Sequence, residues 1–231
     1  MNIQLFDLAG AEPDRRFSPY CWRTKLALAH KGLTVETMPW RFTDKDAIAF
    51  SGQGRVPVLL DGGKVLSDSW TIAEHLEDTY PDRPSLFGCA EARRVTRFIN
   101  SWADTVVIAA LARLLLTDIY AHLHDKDRHY FRESREKRFG MPLEDMSADR
   151  DARVVGFRQS LEPVRAVLTA QPYLAGNRPF YADYILFGCF MWTRSISSFR
   201  VLTADDPIYS WRERMLDGLD GLPRKAPGYA E

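Results

Sequence analysis

The chain has 231 residues, 45% hydrophobic and 27% charged, an ordinary balance with room for a large core in one or two domains. Lys plus Arg and Asp plus Glu both number 31, so the net charge is zero and favours neither nucleic acid nor an anionic membrane surface. No apolar run approaches the roughly 20 residues of a membrane span, and the stretch from Met1 to Phe6 lacks the basic region and long apolar run of a signal peptide.

The first 80 or so residues alternate element types. Residues 3–8 form a short apolar strand, and residues 19–31 a helix with Trp22, Leu26 and Ala29 on one face. Gly32, at the C′ position, stops that helix. Residues 34–38 are β-rich. Residues 56–60 and 64–66 read as two strands joined by Asp61-Gly62-Gly63, a strong hairpin signal. Ser69 is expected to cap a second helix that carries Ile72, Leu76 and Tyr80 on one stripe and ends at Pro81. This order suits a small mixed sheet with helices packed on it and resembles the thioredoxin fold. The polar connection Asp82-Arg83-Pro84-Ser85 marks a boundary, with one domain over residues 1–83 and a second over 91–231.

Beyond the boundary strand signals fade, and an all-α second domain is expected. Residues 92–116 carry Val95, Phe98, Trp102, Val106 and Ala109 at helical spacing; residues 161–168 and 184–196 are further helical segments. Residues 122–153 are unusually charged, which reads as a solvated helix face laced with opposite charges rather than a nucleic-acid or partner surface. His122 and His124, two apart, face different ways on a helix, so no metal site is expected. Three widely spaced cysteines, Cys21, Cys89 and Cys189, show neither a disulfide framework nor a zinc-type pair, so a reduced, cytoplasmic protein is expected.

Three features of the first domain carry chemistry. In Ser18-Pro19-Tyr20-Cys21, a serine at the N-cap and a proline at the first helical position put a hydroxyl at the positive end of a helix, which favours an anion such as a thiolate. The stretch resembles the Cys-Pro-Tyr-Cys motif of glutaredoxins with the nucleophilic cysteine replaced by serine, a group that can donate a hydrogen bond to sulfur but cannot exchange disulfides. In Arg55-Val56-Pro57, proline within a strand pattern points to an edge or first position, with Val56 held extended and able to pair with a peptide-like ligand. In Ser67-Asp68-Ser69, an acid and a helix start can bracket the amine and carboxylate of an amino-acid end. Taken singly, each feature is also a common cap or a proline-protected edge strand.

Together the three are similar to the glutathione site of the cytosolic glutathione S-transferase superfamily, serine type, a resemblance that covers nearly the whole chain. It implies an α/β thioredoxin-like N-terminal domain plus an all-α C-terminal domain, with glutathione as co-substrate. It also implies that Ser18 stabilises the glutathione thiolate, that Pro57 is cis, and that Val56 pairs with the cysteinyl backbone. Asp68 and Ser69 would bind the γ-glutamyl end, with Asp replacing the more usual Glu, and Arg55 would stand near the glycine end. Phe180-Tyr181-Ala182-Asp183 keeps the aspartate of the family's capping box without its cap hydroxyl. Ser18-Pro19-Tyr20-x-Trp22-Arg23-Thr24-Lys25, the charged segment, and Asp183-Tyr184 followed by Trp192-Thr193 resemble bacterial glutathione-dependent β-etherases and related fungal enzymes. The resemblance implies a small aromatic electrophile, with β-aryl ether cleavage as the specific chemistry, and a homodimer. The expected electrophile pocket lies between the domains, walled by residues 10–17, Trp40, Asp104, Val107 and Ile108. Two alternatives remain: a thiol transferase using Cys21, three residues after Ser18 on the same helix, and a non-catalytic glutathione-binding protein.

Overall fold

The computed structural model describes residues 3–230. In chain order it runs β1 (Ile3–Leu8), α1 (Pro19–His30), β2 (Val35–Trp40), β3 (Val58–Asp61), β4 (Lys64–Ser67) and α2 (Ser69–Thr79), then only helices among the described residues. The four strands form one mixed sheet in the order β2-β1-β3-β4, with β1 parallel to β2 and antiparallel to β3. Gly62 and Gly63, at φ 56° and 84°, make the hairpin turn to β4, because two successive positive φ values suit glycine and match the twist of the flanking strands. Pro39 lies on edge strand β2, where a missing N–H costs no ladder bond.

Two local expectations are corrected. β3 is an interior strand, and Pro57 stands just before its first residue rather than on an edge strand; the Val56–Pro57 bond is cis, as the resemblance implies. Asp68, not Ser69, caps α2: its Oδ1 accepts from the amides of Trp70 and Thr71, both at 3.0 Å, and Ser69 is the first helical residue. Asp68 takes φ 73°, a left-handed conformation that a short polar side chain tolerates better than most.

The helical half contains α3 (Ala90–Trp102), a π-helical turn (Ala103–Val107) and α4 (Ile108–Ala121) in one run. It continues with α5 (Asp125–Phe139), α6 (Leu143–Ser147), α7 (Arg150–Ser160), α8 (Glu162–Ala170), α9 (Tyr181–Ile196) and α10 (Pro207–Lys225), the last interrupted at Gly218–Gly221. α9 is buried around its whole circumference except at Arg194, so it is the central post of this half. Asp183 ties its start in place, accepting from the Phe180 and Leu174 amides and from Trp211 Nε1. α9 crosses α1 at Gly188, where any Cβ would sit 2.6 Å from the Pro19 carbonyl oxygen. At the same crossing the buried Arg23 guanidinium donates to Ile185 O, Asn100 Oδ1 and Asp104 Oδ1, joining α1 to α9, α3 and the π-helical turn. α1 is thereby held by both halves.

The stripe of Val95, Phe98, Trp102, Val106 and Ala109 is mostly solvent-facing: Val95 and Phe98 are 64% and 69% exposed, Val106 and Ala109 are exposed and Trp102 is half-buried, while Val107 and Leu111, off that stripe, are buried. No helix among the described residues is long and apolar enough to cross a membrane.

Candidate active site

A cavity of about 590 Å³ opens between the halves, and Ser18 is on its floor. Ser18 is extended at the N-cap of α1 and 4% exposed; its Oγ accepts from the Cys21 amide at 3.3 Å. An oxygen that accepts from its own helix still has an O–H proton to donate, here within reach of both the cavity and the Cys21 sulfur. The N-terminal end of α1 adds partial positive charge at the same place; with Pro19 lacking an N–H and the Cys21 and Trp22 amides donating to Ser18, Tyr20 N–H is the open donor there among the described residues.

Arg55 and Val56 also line this cavity. Neither the Val56 N–H nor its C=O has a partner among the described residues, which leaves a donor and an acceptor that an extended peptide can pair with. Pro57, Asp68 and Ser69 do not line it. Pro57 follows Val56 through the cis bond, and Asp68 and Ser69 stand at the start of α2. Asp68 is exposed, with Oδ2 unpaired among the described residues; Ser69 is buried, its carbonyl accepting from Tyr181 Oη at 2.7 Å.

Of the expected electrophile walls, Phe17, Trp40, Asp104 and Ile108 line the cavity. The rest of the 10–17 loop does not, and Val107 is fully buried behind the wall. The loop is held by Gly10, where a Cβ would meet His122 O at 2.6 Å, and by Ala11 N donating to that same carbonyl.

The sequence reading missed the opposite wall. α5 is not only a solvated charged face: Asp127 is fully buried and accepts from Phe42 N at 3.1 Å, Thr43 N at 3.0 Å and Thr43 Oγ1 at 2.6 Å. It thereby fastens α5 to the segment after β2. Phe131 is buried beside it, and Tyr130, Arg135, Arg138 and Phe139 complete that wall. Asp127, Phe131, Arg135 and Phe139 recur at every fourth position, a face that the surrounding charges concealed.

Tyr20, the second helical residue of α1, was also missed as a lining group. Burial, reinforced by the Asp104 carboxylate, pushes its phenol up to about 12, so it is a proton donor throughout the ordinary pH range. Cys21 does not line the cavity, although its thiol is within hydrogen-bond reach of the Ser18 hydroxyl. It is fully buried, and burial with help from Asp7 raises its thiol well above the usual range. Among the described residues no group of three or more His, Cys, Asp or Glu side chains is arranged to hold a metal ion.

Family comparison agrees with this architecture. Residues 13–84 match the glutathione S-transferase N-terminal domain, and residues 95–213 match the glutathione S-transferase C-terminal domain. A glutathione S-transferase-like protein of Aspergillus flavus, ustS, is 33% identical over 141 residues, covering 55% of this chain and 50% of that protein. Glutathione S-transferase Z2 of Arabidopsis thaliana is 31% identical over 109 residues, covering 45% of this chain and 47% of that protein. The chain thus spans about half the length of the curated relatives it matches. Over whole folds, the glutathione S-transferase CsGST63524 of Ceriporiopsis subvermispora, crystallised in complex with glutathione, superimposes with a TM-score of 0.82. It is 25% identical, and the match covers 98% of this chain and 99% of that one. With both halves matched in order along one polypeptide, the chain belongs to the glutathione S-transferase family.

Proposed function

We propose that the protein is a glutathione transferase that ionises the glutathione thiol at Ser18 and directs it at a small aromatic electrophile. The observation that carries this reading is the Ser18 hydroxyl at the N-terminal end of α1, lining the cavity. The tripeptide would lie along Val56 and Pro57, with its γ-glutamyl end at Asp68 and Ser69 and its glycyl carboxylate near Arg55. Residues 1–83 would supply this half of the site, and residues 91–231 the electrophile walls. The thiolate attacks the electrophilic carbon and a thioether bond forms; a phenolate or halide leaves with the electron pair of the broken bond.

Aromatic walls built from Trp40, Phe42, Tyr130, Phe131 and Trp192 support an aromatic substrate, and β-aryl ether cleavage is the specific chemistry proposed. The burial of Cys21 weighs against its use as a thiol-transferase nucleophile. Exposed Val95 and Phe98 on α3, with Phe50 and Val65 on the first half, offer the apolar surface that a homodimer would bury. An exposed, unpaired Cys89 suits a reducing compartment such as the cytoplasm.

Incubation with glutathione and a panel of aryl ethers and aryl halides, read by mass spectrometry, tests the reading. Glutathione conjugates are the expected product. Thermal stabilisation by glutathione with no conjugate from any class would leave a binding protein instead; oxidised glutathione as the sole product would indicate disulfide chemistry.

A further inference from the structure

The cavity is electrostatically one-sided. Lys45, Arg55, Arg113, Arg135 and Arg138 line it, against a single carboxylate, Asp104. That carboxylate is already engaged, with Oδ1 2.8 Å from Arg23 Nη1 and Oδ2 3.0 Å from Asn100 Nδ2. Several arginines outside the cavity meet acids, such as Arg93 with Asp78, Arg132 with Glu144, Arg150 with Asp118 and Arg165 with Asp206, while others such as Arg97 and Arg200 meet none among the described residues. Arg55, Arg113, Arg135 and Arg138 have no carboxylate partner among the described residues. Arg135 is the most constrained. It packs over Phe131 at 4.5 Å and Phe42 at 5.3 Å, and its side-chain hydrogen bond goes to the neutral Ser134 Oγ. Burial, together with repulsion from Arg138 and Arg55, pulls its ionisation down, which places the three cations in one field.

Clustering like charges against aromatic surface is unfavourable unless an anion fills the space. Glutathione accounts for part of the excess. Its glycyl carboxylate suits Lys45 and Arg55, both beside the Val56 segment, where Lys45 Nζ already donates to Gly54 O at 2.6 Å. Arg113 on α4 and Arg135 and Arg138 on α5 then remain uncompensated on the electrophile walls.

We propose that the second substrate is an aromatic acid, its ring against Phe42, Tyr130 and Phe131 and its carboxylate held by Arg113, Arg135 and Arg138. The proposal rests on the reading of Ser18 and Val56 as the glutathione half of the cavity. A guanidinium suits this task because its planar fork grips a carboxylate with two bonds while its face stacks on a ring. The cavity, about 590 Å³ and open on one side, has room for a small aromatic acid beside the tripeptide.

Calorimetric titration of the full chain with 1-naphthoate and with the isosteric neutral 1-naphthamide, at saturating glutathione, tests it. The acid should bind about tenfold more tightly or better, as one charge-assisted pair implies, and the margin should shrink as salt is raised. Arg138→Gln and Arg113→Gln, both exposed positions, should each cut the margin to threefold or less by weakening the acid and not the amide; Arg135→Met should do the same if it folds. Binding of acid and amide within twofold of each other would overturn the proposal. So would an undiminished preference in Arg113→Gln and Arg138→Gln, or displacement of naphthoate by glutathione, which would put the acid in the tripeptide's own place. Glutathione titrated alone separates the two readings. Uptake of the tripeptide without acid preference sinks only the aromatic-acid proposal, whereas acid preference without tripeptide uptake sinks the transferase reading and, with it, the acid's role as second substrate.

Discussion

Ser18→Ala removes two interactions at once, and they have different readouts. The first is the cap. At 3.3 Å the Oγ to Cys21 N bond is long, so its loss should cost toward the low end of the about 0.5–2 kcal/mol typical of caps. The second is the proton offered to the cavity. Bringing a thiol of ordinary pKa near 8.5 to about 6.5 requires ~2.7 kcal/mol. A helix end supplies about 0.3–1 kcal/mol, rising to ~2 when partly buried, whereas a charge-assisted hydroxyl bond supplies ~1.5–3. The dipole alone falls short, so the bound thiol of Ser18→Ala should titrate about 1–2 units above wild type. At pH near 6.5 the thiolate fraction would fall from about one half to roughly 1–10%, and kcat/KM about five- to fifty-fold with it; the two enzymes should converge above about pH 9. The sign follows from the mechanism: the hydroxyl bond favours the charged form, so removing it raises the pKa and the deficit is greatest on the acid side. Ultraviolet thiolate absorbance of the glutathione complex, titrated with pH, measures the shift directly. Superimposable titration midpoints for mutant and wild type would remove Ser18 from the chemistry, whatever happened to turnover.

Tyr20→Phe discriminates a rival donor. Its phenol, pushed up to about 12, keeps a proton to donate into the cavity; if Ser18 is the donor that holds the sulfur, the variant should keep the wild-type thiolate midpoint within about 0.3 units, and a rise of a full unit would transfer the role to Tyr20. Thiol labelling with dithionitrobenzoate should find one fast cysteine in the native protein, the exposed Cys89, with buried Cys21 and Cys189 reacting only on unfolding; loss of the fast thiol in Cys21→Ser would contradict the burial. Asp127→Ala leaves three donors from Phe42 and Thr43 without their acceptor. It should lower stability by about 3 kcal/mol, read as a Tm drop on the order of 6–12 °C, and should raise KM for the electrophile as the wall loosens. A Tm within a degree of wild type would mean that Asp127 does not fasten α5 to the first half.

What the sequence made legible was what the backbone decides locally. Ser18-Pro19 could hardly be other than a helix start, Gly32 a stop, and Asp61-Gly62-Gly63 a hairpin, because each depends on the conformational range of a few adjacent residues. The position of Asp68 was harder, since Asp and Ser both cap helices and only the left-handed backbone at Asp68 decides between them. Apolar periodicity located the helix through Val95 and Phe98 but not the side on which their faces would be covered; a stripe shows that surface avoids water, not what covers it. The α5 wall was obscured for a different reason. Asp127 and Arg135 occupy inward positions usually held by leucines, satisfied there by backbone amides and aromatic faces from a segment distant in sequence. Charge patterning along the chain cannot show such partners. The cationic lining of the cavity likewise becomes visible only once α4, α5 and the segment before β3 are brought together.

Calorimetric titration of the purified chain with glutathione near pH 7, repeated in two buffers of different ionisation enthalpy, gives both affinity and the number of protons released. A thiol moved from about 8.5 to about 6.5 should release roughly 0.7 proton per site on binding. Saturable heat with that release is the predicted result. Glutathione binding with no proton released, or no binding heat at all, would contradict ionisation of the tripeptide's sulfur at the start of α1.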